Sequence, residues 1–203
     1  NIPTTEHARR RRVAAGFFLV TALAWIASAG VSCAAEKSSA KPAAAAAAST
    51  NAPAKSLFDG RTLAGWKVTD FAGHGEVLVK DGTIVLETGQ MTGITWTNAG
   101  ELPAMNYEIS LDAMRVDGSD FFCGLTFPVG KDPCSLIVGG WGGGVVGLSS
   151  IDSQDAANNE TTKYMTFKSG RWYAIRLRVT TGKIEAWIDE DKVIDVSTEG
   201  HTL

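Results

Sequence analysis

From Ser56 onward, apolar and polar residues alternate with a period of two, the pattern of strands that bury one face. Glu76–Lys80 and Thr83–Glu87 flank Asp81-Gly82, a dipeptide whose residues tolerate positive φ, so a tight hairpin is expected there. Tyr107, Ile109, Leu111 and Ala113 alternate with Glu108, Ser110 and Asp112, which predicts a long strand. Phe121–Phe127 and Ser135–Val138 are further apolar runs. Arg171–Thr180 alternates again, and Lys183–Ile188 and Lys192–Val196 flank a short Asp189-Glu190-Asp191 turn. No stretch past residue 56 carries a helical stripe. Many short strands joined by Gly- and Asp-rich turns predict an all-β antiparallel sandwich.

The first 55 residues follow other rules. Arg9–Arg12 precede Val13–Val31, an uncharged run ending in small residues, as in a bacterial export signal. The run approaches the ~20 residues that span a bilayer, so a permanent membrane anchor stays open as an alternative. Gly30-Val31-Ser32-Cys33 resembles a lipobox, which makes Cys33 a candidate lipidation site, although Gly30 stands where Leu is usual. Cleavage after Ala29 or Ala34, and a twin-arginine route, are further alternatives. Residues 34–55 are rich in Ala, Ser and Pro, hold no large apolar residue and read as a disordered linker. The expected organisation is therefore a signal helix over 1–33, a linker over 34–55 and a folded body over 56–203, exported to the periplasm or cell envelope and tethered to a membrane.

Charge sharpens this division. The net charge of −3 hides seven Lys/Arg against Glu6 and Glu36 in residues 1–55, and 12 basic against 20 acidic residues in the body. An acidic body without a basic stripe excludes nucleic acid as a partner. Cys123 and Cys134 lie in the exported body, where a disulfide is chemically permitted. If 121–127 pairs with 134–140, Phe127 faces Cys134 and Cys123 faces Val138, too far apart for a bridge, so two buried free thiols are expected.

Ser56-Leu57-Phe58-Asp59-Gly60-Arg61-Thr62-Leu63-Ala64-Gly65-Trp66 resembles the opening signature of the 3-keto-disaccharide hydrolase family. Val79–Ile84, Asn106–Ile109, Gly170–Tyr173 and Gly182–Asp189 are similar to four later motifs of that family, in order. The resemblance implies a concanavalin A-like jelly-roll sandwich and action on sugars, as a hydrolase of glycosidic bonds. It also implies further strands beyond the hairpin over 183–196, so the C-terminal strands are expected to be missing. Asp59-Gly60 reads as a turn and Trp66 as a core residue. Pro128 stands where many members carry Arg, and Ser135–Gly140 lacks the carboxylates common on that strand, so the usual site is altered and a non-catalytic carbohydrate-binding module is the alternative function.

The polar segment Ile151–Thr162 is the main candidate for chemistry. Asp152, Asp155 and Glu160 are candidate bases or ligands of a divalent metal such as Ca²⁺, and Asn158 and Asn159 candidate sugar contacts. The bland reading is a solvated loop. Trp141, followed by three glycines, is a candidate sugar platform, against a core Trp at a bend. Asp120 is a candidate sugar contact, and Asp112 reads as a surface charge. His74 and His201 sit at no zinc-ligand spacing.

Overall fold

The computed structural model describes residues 54–203. The expected signal segment, Cys33 and nearly all of the expected linker lie outside the described residues. The described residues form twelve strands: β1 (Trp66–Val68), β2 (Val77–Lys80), β3 (Thr83–Leu86), β4 (Ile94–Trp96), β5 (Tyr107–Met114), β6 (Cys123–Val129), β7 (Asp132–Gly140), β8 (Val145–Ser149), β9 (Lys163–Tyr164), β10 (Trp172–Thr180), β11 (Lys183–Ile188) and β12 (Asp191–Ser197). They build two four-stranded sheets, β12-β11-β10-β5 and β6-β7-β8-β9, and two ribbons, β1-β4 and β2-β3. Every pairing is antiparallel.

The core lies between the larger sheets. β10 contributes Tyr173, Ile175, Leu177 and Val179, every second residue, as the alternation requires. β6, β7 and β8 answer with Phe127, Leu136, Val138, Val146 and Leu148. Each such side chain contributes about 1.5–3 kcal/mol when fully buried. In β12 the register slips, leaving Val193 as the extra residue, and this bulge lets both Val193 and Ile194 turn inward. The opposite face of β10-β11-β12 is closed by its own charges. Glu185, only 7% exposed, binds Arg178 and Lys192, and Arg176 stacks 3.8 Å above the Trp187 ring.

The Asp81-Gly82 hairpin forms as expected, with φ of 49° and 74° at its two turn residues. Gly60 likewise takes positive φ. Trp66 departs from expectation: it is half-buried, its edge packed on Trp96 at 5.1 Å and its indole N–H donated to the Leu57 carbonyl. The physical reason is its place in a two-stranded ribbon, which has no second layer to enclose it. The hairpin over 123–140 has the expected register, Phe127 opposite Cys134 and Cys123 opposite Val138. Both thiols are free and buried, and burial pushes them up to about 12 for Cys123 and about 11 for Cys134, so neither is a thiolate near neutral pH.

A bulge at Gly139 (φ 78°) shapes the end of β7, since Val138 pairs with Val146 and Gly140 with Val145. The chain then turns through Trp141 (φ 49°), Gly142 (φ 84°) and Gly143 (φ 107°), and the amides of Gly143 and Gly144 both donate to the Gly140 carbonyl. Only glycine takes such angles cheaply, and Trp141 is held in the left-handed region by the glycine turns on either side.

Candidate functional site

The segment between β8 and β9 is an ordered structure with assigned partners, and its first residue anchors it. Ile151 is 2% exposed and belongs to the core. Its backbone exchanges hydrogen bonds with Gln154 at 3.0 and 2.8 Å, so Asp152 (φ 52°) and Ser153 (φ 63°) form a two-residue hairpin turn. That turn grips the C-terminal segment. The Asp152 amide donates to the Thr202 carbonyl, and the Thr202 amide donates back to Asp152 Oδ1, both at 2.8 Å.

His201 lies between two carboxylates. Its Nδ1 meets Asp152 Oδ2 at 2.7 Å and its Nε2 meets Glu160 Oε1 at 3.1 Å. The hydrogen bond to Asp152 raises the imidazole above its ordinary 6.5, and the charges of Asp152 and Glu160 act in the same direction. The Thr202 amide and then His201 hold Asp152 below its ordinary 3.8. Glu160, Thr161, Lys163, His201 and the β12 residues from Val193 to Ser197 line a cleft of about 300 Å³.

These shifts set a pH window for the clamp. The histidine contribution is full below its unfolded value and is lost as pH rises through the raised folded value. The aspartate contribution is full above its unfolded value and is lost as pH falls through the lowered folded value. The two overlap between about pH 4 and 6.5. Thermal melts of the wild type and His201→Gln are expected to differ most inside that window and to converge as pH rises past the histidine's folded value. A difference constant from pH 5 to pH 9 would contradict the clamp.

The remaining sequence candidates are placed differently. Asp155 Oδ1 accepts from the Ala157 amide at 2.9 Å and from Asn158 Nδ2 at 2.8 Å, which engages both side chains in a local turn. Asn159 points inward: its Nδ2 donates to the carbonyls of Leu148, Asp155 and Gln154, and its Oδ1 accepts from the amide and hydroxyl of Thr161. Glu160 thus lines the cleft and Asp152 reaches it through His201, while Asp155, Asn158 and Asn159 organise the loop that carries them. Asp120 lies elsewhere, its Oδ1 accepting from the Phe121 amide, and Trp141, 51% exposed, is absent from the cleft lining. The sequence sets His201 aside for want of zinc-ligand spacing and does not single out Lys163. Their neighbours are distant in the chain (His201 lies 49 residues from Asp152), so no local signal marks them. Asp152, Glu160 and His201 come together, but each imidazole nitrogen is engaged by a carboxylate, and among the described residues no group of three His, Cys, Asp or Glu side chains is disposed to hold a metal ion.

No curated protein and no solved structure matches this chain. Residues 53–202 match a family model described as the 3-keto-alpha-glucoside-1,2-lyase-like domain. That match spans the ribbons, both sheets and the cleft, and it carries a carbohydrate-related function with it. This antiparallel β-sandwich, in a chain matched along most of its length, belongs to the 3-keto-alpha-glucoside-1,2-lyase-like family.

Proposed function

We propose that this chain is an exported enzyme, tethered at the envelope through Cys33 or its signal segment, that cleaves glycosidic bonds beside a ketone in 3-keto disaccharides or related glycosides. The observation that carries this reading is the imidazole of His201 bracketed by Asp152 and Glu160 at the edge of a polar cleft. A ketone at C3 acidifies the proton on C2, so a single base suffices to start the reaction. The Glu160 carboxylate, 56% exposed, takes that proton. The C–H electron pair becomes the C1–C2 double bond, and the C1–O bond breaks. The departing oxygen takes the proton of the His201 imidazolium, which Asp152 orients through Nδ1. The ammonium of Lys163, in the same cleft, offsets negative charge gathering on the ketone oxygen. Addition of water to the double bond would complete net hydrolysis.

A non-catalytic carbohydrate-binding module is the second reading. It is favoured by the outward face of β7, which presents Ser135 and Ile137 and no carboxylate, and by the engagement of Asp155, Asn158 and Asn159 within their loop. Incubation of the full chain with a 3-keto disaccharide separates the two. The expected result is release of the aglycone sugar, unaffected by chelator and slowed about a hundredfold in Glu160→Gln. Saccharide binding without product would overturn the enzymatic reading and leave the module.

A further inference from the structure

The described residues hold three strongly exposed aromatic side chains, Phe121 (44%), Trp141 (51%) and Tyr164 (77%). All three gather at one end of one sheet. Val145 pairs with Tyr164, and Val145, itself only 2% exposed, lies on the side of β8 away from Val146 and Leu148, which enter the core. Tyr164 therefore shares the outward face of β6-β7-β8-β9. On the same face Gly124 pairs with Ile137, and a Cβ added to Gly124 would sit 3.5 Å from the Phe121 ring. A Cβ added to Gly140 would sit 3.9 Å from Phe121 and 4.0 Å from the Asp120 carboxylate. Trp141, 51% exposed, follows Gly140 directly at the same end of the sheet.

We propose that Phe121, Trp141 and Tyr164 form a strip that binds a neutral polysaccharide chain. This proposal rests on the saccharide reading above but uses a different surface from the cleft. Strands lie about 4.8 Å apart, so the reach from Phe121 over β6 to Tyr164 on β9 is about 14 Å, longer than one pyranose ring. Flat aromatic faces suit the C–H faces of pyranoses, and Gly142 beside Trp141, where a Cβ would meet nothing within 4 Å, leaves room for close approach. Charge selects the ligand. Asp120 is the carboxylate beside the strip, where it accepts hydrogen bonds from hydroxyls and repels acidic sugars. Arg115, the cation under the Gly143 turn, is engaged with the carbonyls of Asp120 and Phe167.

The test is calorimetric titration of the full chain with a neutral β-glucan hexasaccharide, the matching disaccharide and polygalacturonate. The hexasaccharide should bind about tenfold more tightly than the disaccharide, and polygalacturonate should not bind. Tyr164→Ala and Trp141→Ala should each weaken the hexasaccharide about tenfold, while Leu86→Ala, an exposed apolar change on β3, should not. Glu160→Gln should keep hexasaccharide binding even as turnover of the keto disaccharide falls. Turnover without hexasaccharide binding would overturn the strip alone, and binding without turnover would overturn the cleft chemistry alone. Equal affinities for both lengths, or a wild-type dimer that Tyr164→Ala dissociates, would also overturn the strip, the latter by making it an interface between copies.

Discussion

Asn159→Ala should cost about 3 kcal/mol of unfolding free energy and disorganise the loop over 151–162. The side chain makes five hydrogen bonds. The amide nitrogen serves three carbonyls, at 2.7 Å to Leu148, 2.8 Å to Asp155 and 3.3 Å to Gln154. The amide oxygen takes the Thr161 amide at 2.9 Å and its hydroxyl at 2.6 Å. Thr161, only 6% exposed, accepts in turn from the Leu148 amide, so the network reaches the backbone of a core strand. Truncation strands several of these groups out of reach of water, and stranded polar groups cost more than the hydrogen bonds gain. Denaturant titration measures the loss. Asn159→Asp is the sharper version, because it keeps shape and volume but turns an acceptor toward three carbonyls. A loss under 1 kcal/mol in both variants would mean the network does not hold the loop.

Much of the architecture was legible because it is set by neighbours in the chain. Asp81-Gly82 specifies its own turn, and the register of that hairpin follows from the turn. The alternation over 172–180 states which face of β10 is buried before any partner is known. The spacing of Cys123 and Cys134 was readable for the same reason, since a hairpin register fixes who faces whom. The short strands were not legible. β1 and β4 have three residues each, and β9 has two, too few for a period to show. The candidate site was half legible. Asp152 and Glu160 stand out as acids in a rim loop, but the loop's other polar residues look the same on paper. What separates them is direction: Asn159 turns toward the Leu148 carbonyl, whereas Glu160 turns toward His201. Direction depends on Ile151 being pinned in the core and on the 201–202 segment lying beside the turn, two contacts that span long stretches of chain.

Gly147→Ala should be about as damaging, at roughly 3 kcal/mol, through a steric route that leaves every hydrogen-bonding side chain in place. Gly147 sits in the middle of β8 and pairs with Ile137. A Cβ there would lie 2.5 Å from the Ala156 carbonyl oxygen and 3.2 Å from that residue's Cα and Cβ. Ala156 is fully buried, so the obstacle is backbone packed against a sheet, with no flexible side chain to move aside. Either β8 bends or the loop lifts away. β8 carries Val146 and Leu148 into the core, which makes the loop the weaker partner. Lifting it moves Asp152 and Glu160 together, so the variant should also lose the pH-dependent part of its stability that arises at His201. Gly182→Ala is the control, since a Cβ there meets nothing within 4 Å, and it should change stability by less than about 0.5 kcal/mol. Denaturant titrations of both variants at about pH 5 and pH 9 read the two effects separately. A stable Gly147→Ala protein that keeps its pH dependence would show that the loop does not rest on β8 through this contact, and the attachment of the cleft acids to the sheet would have to be sought elsewhere.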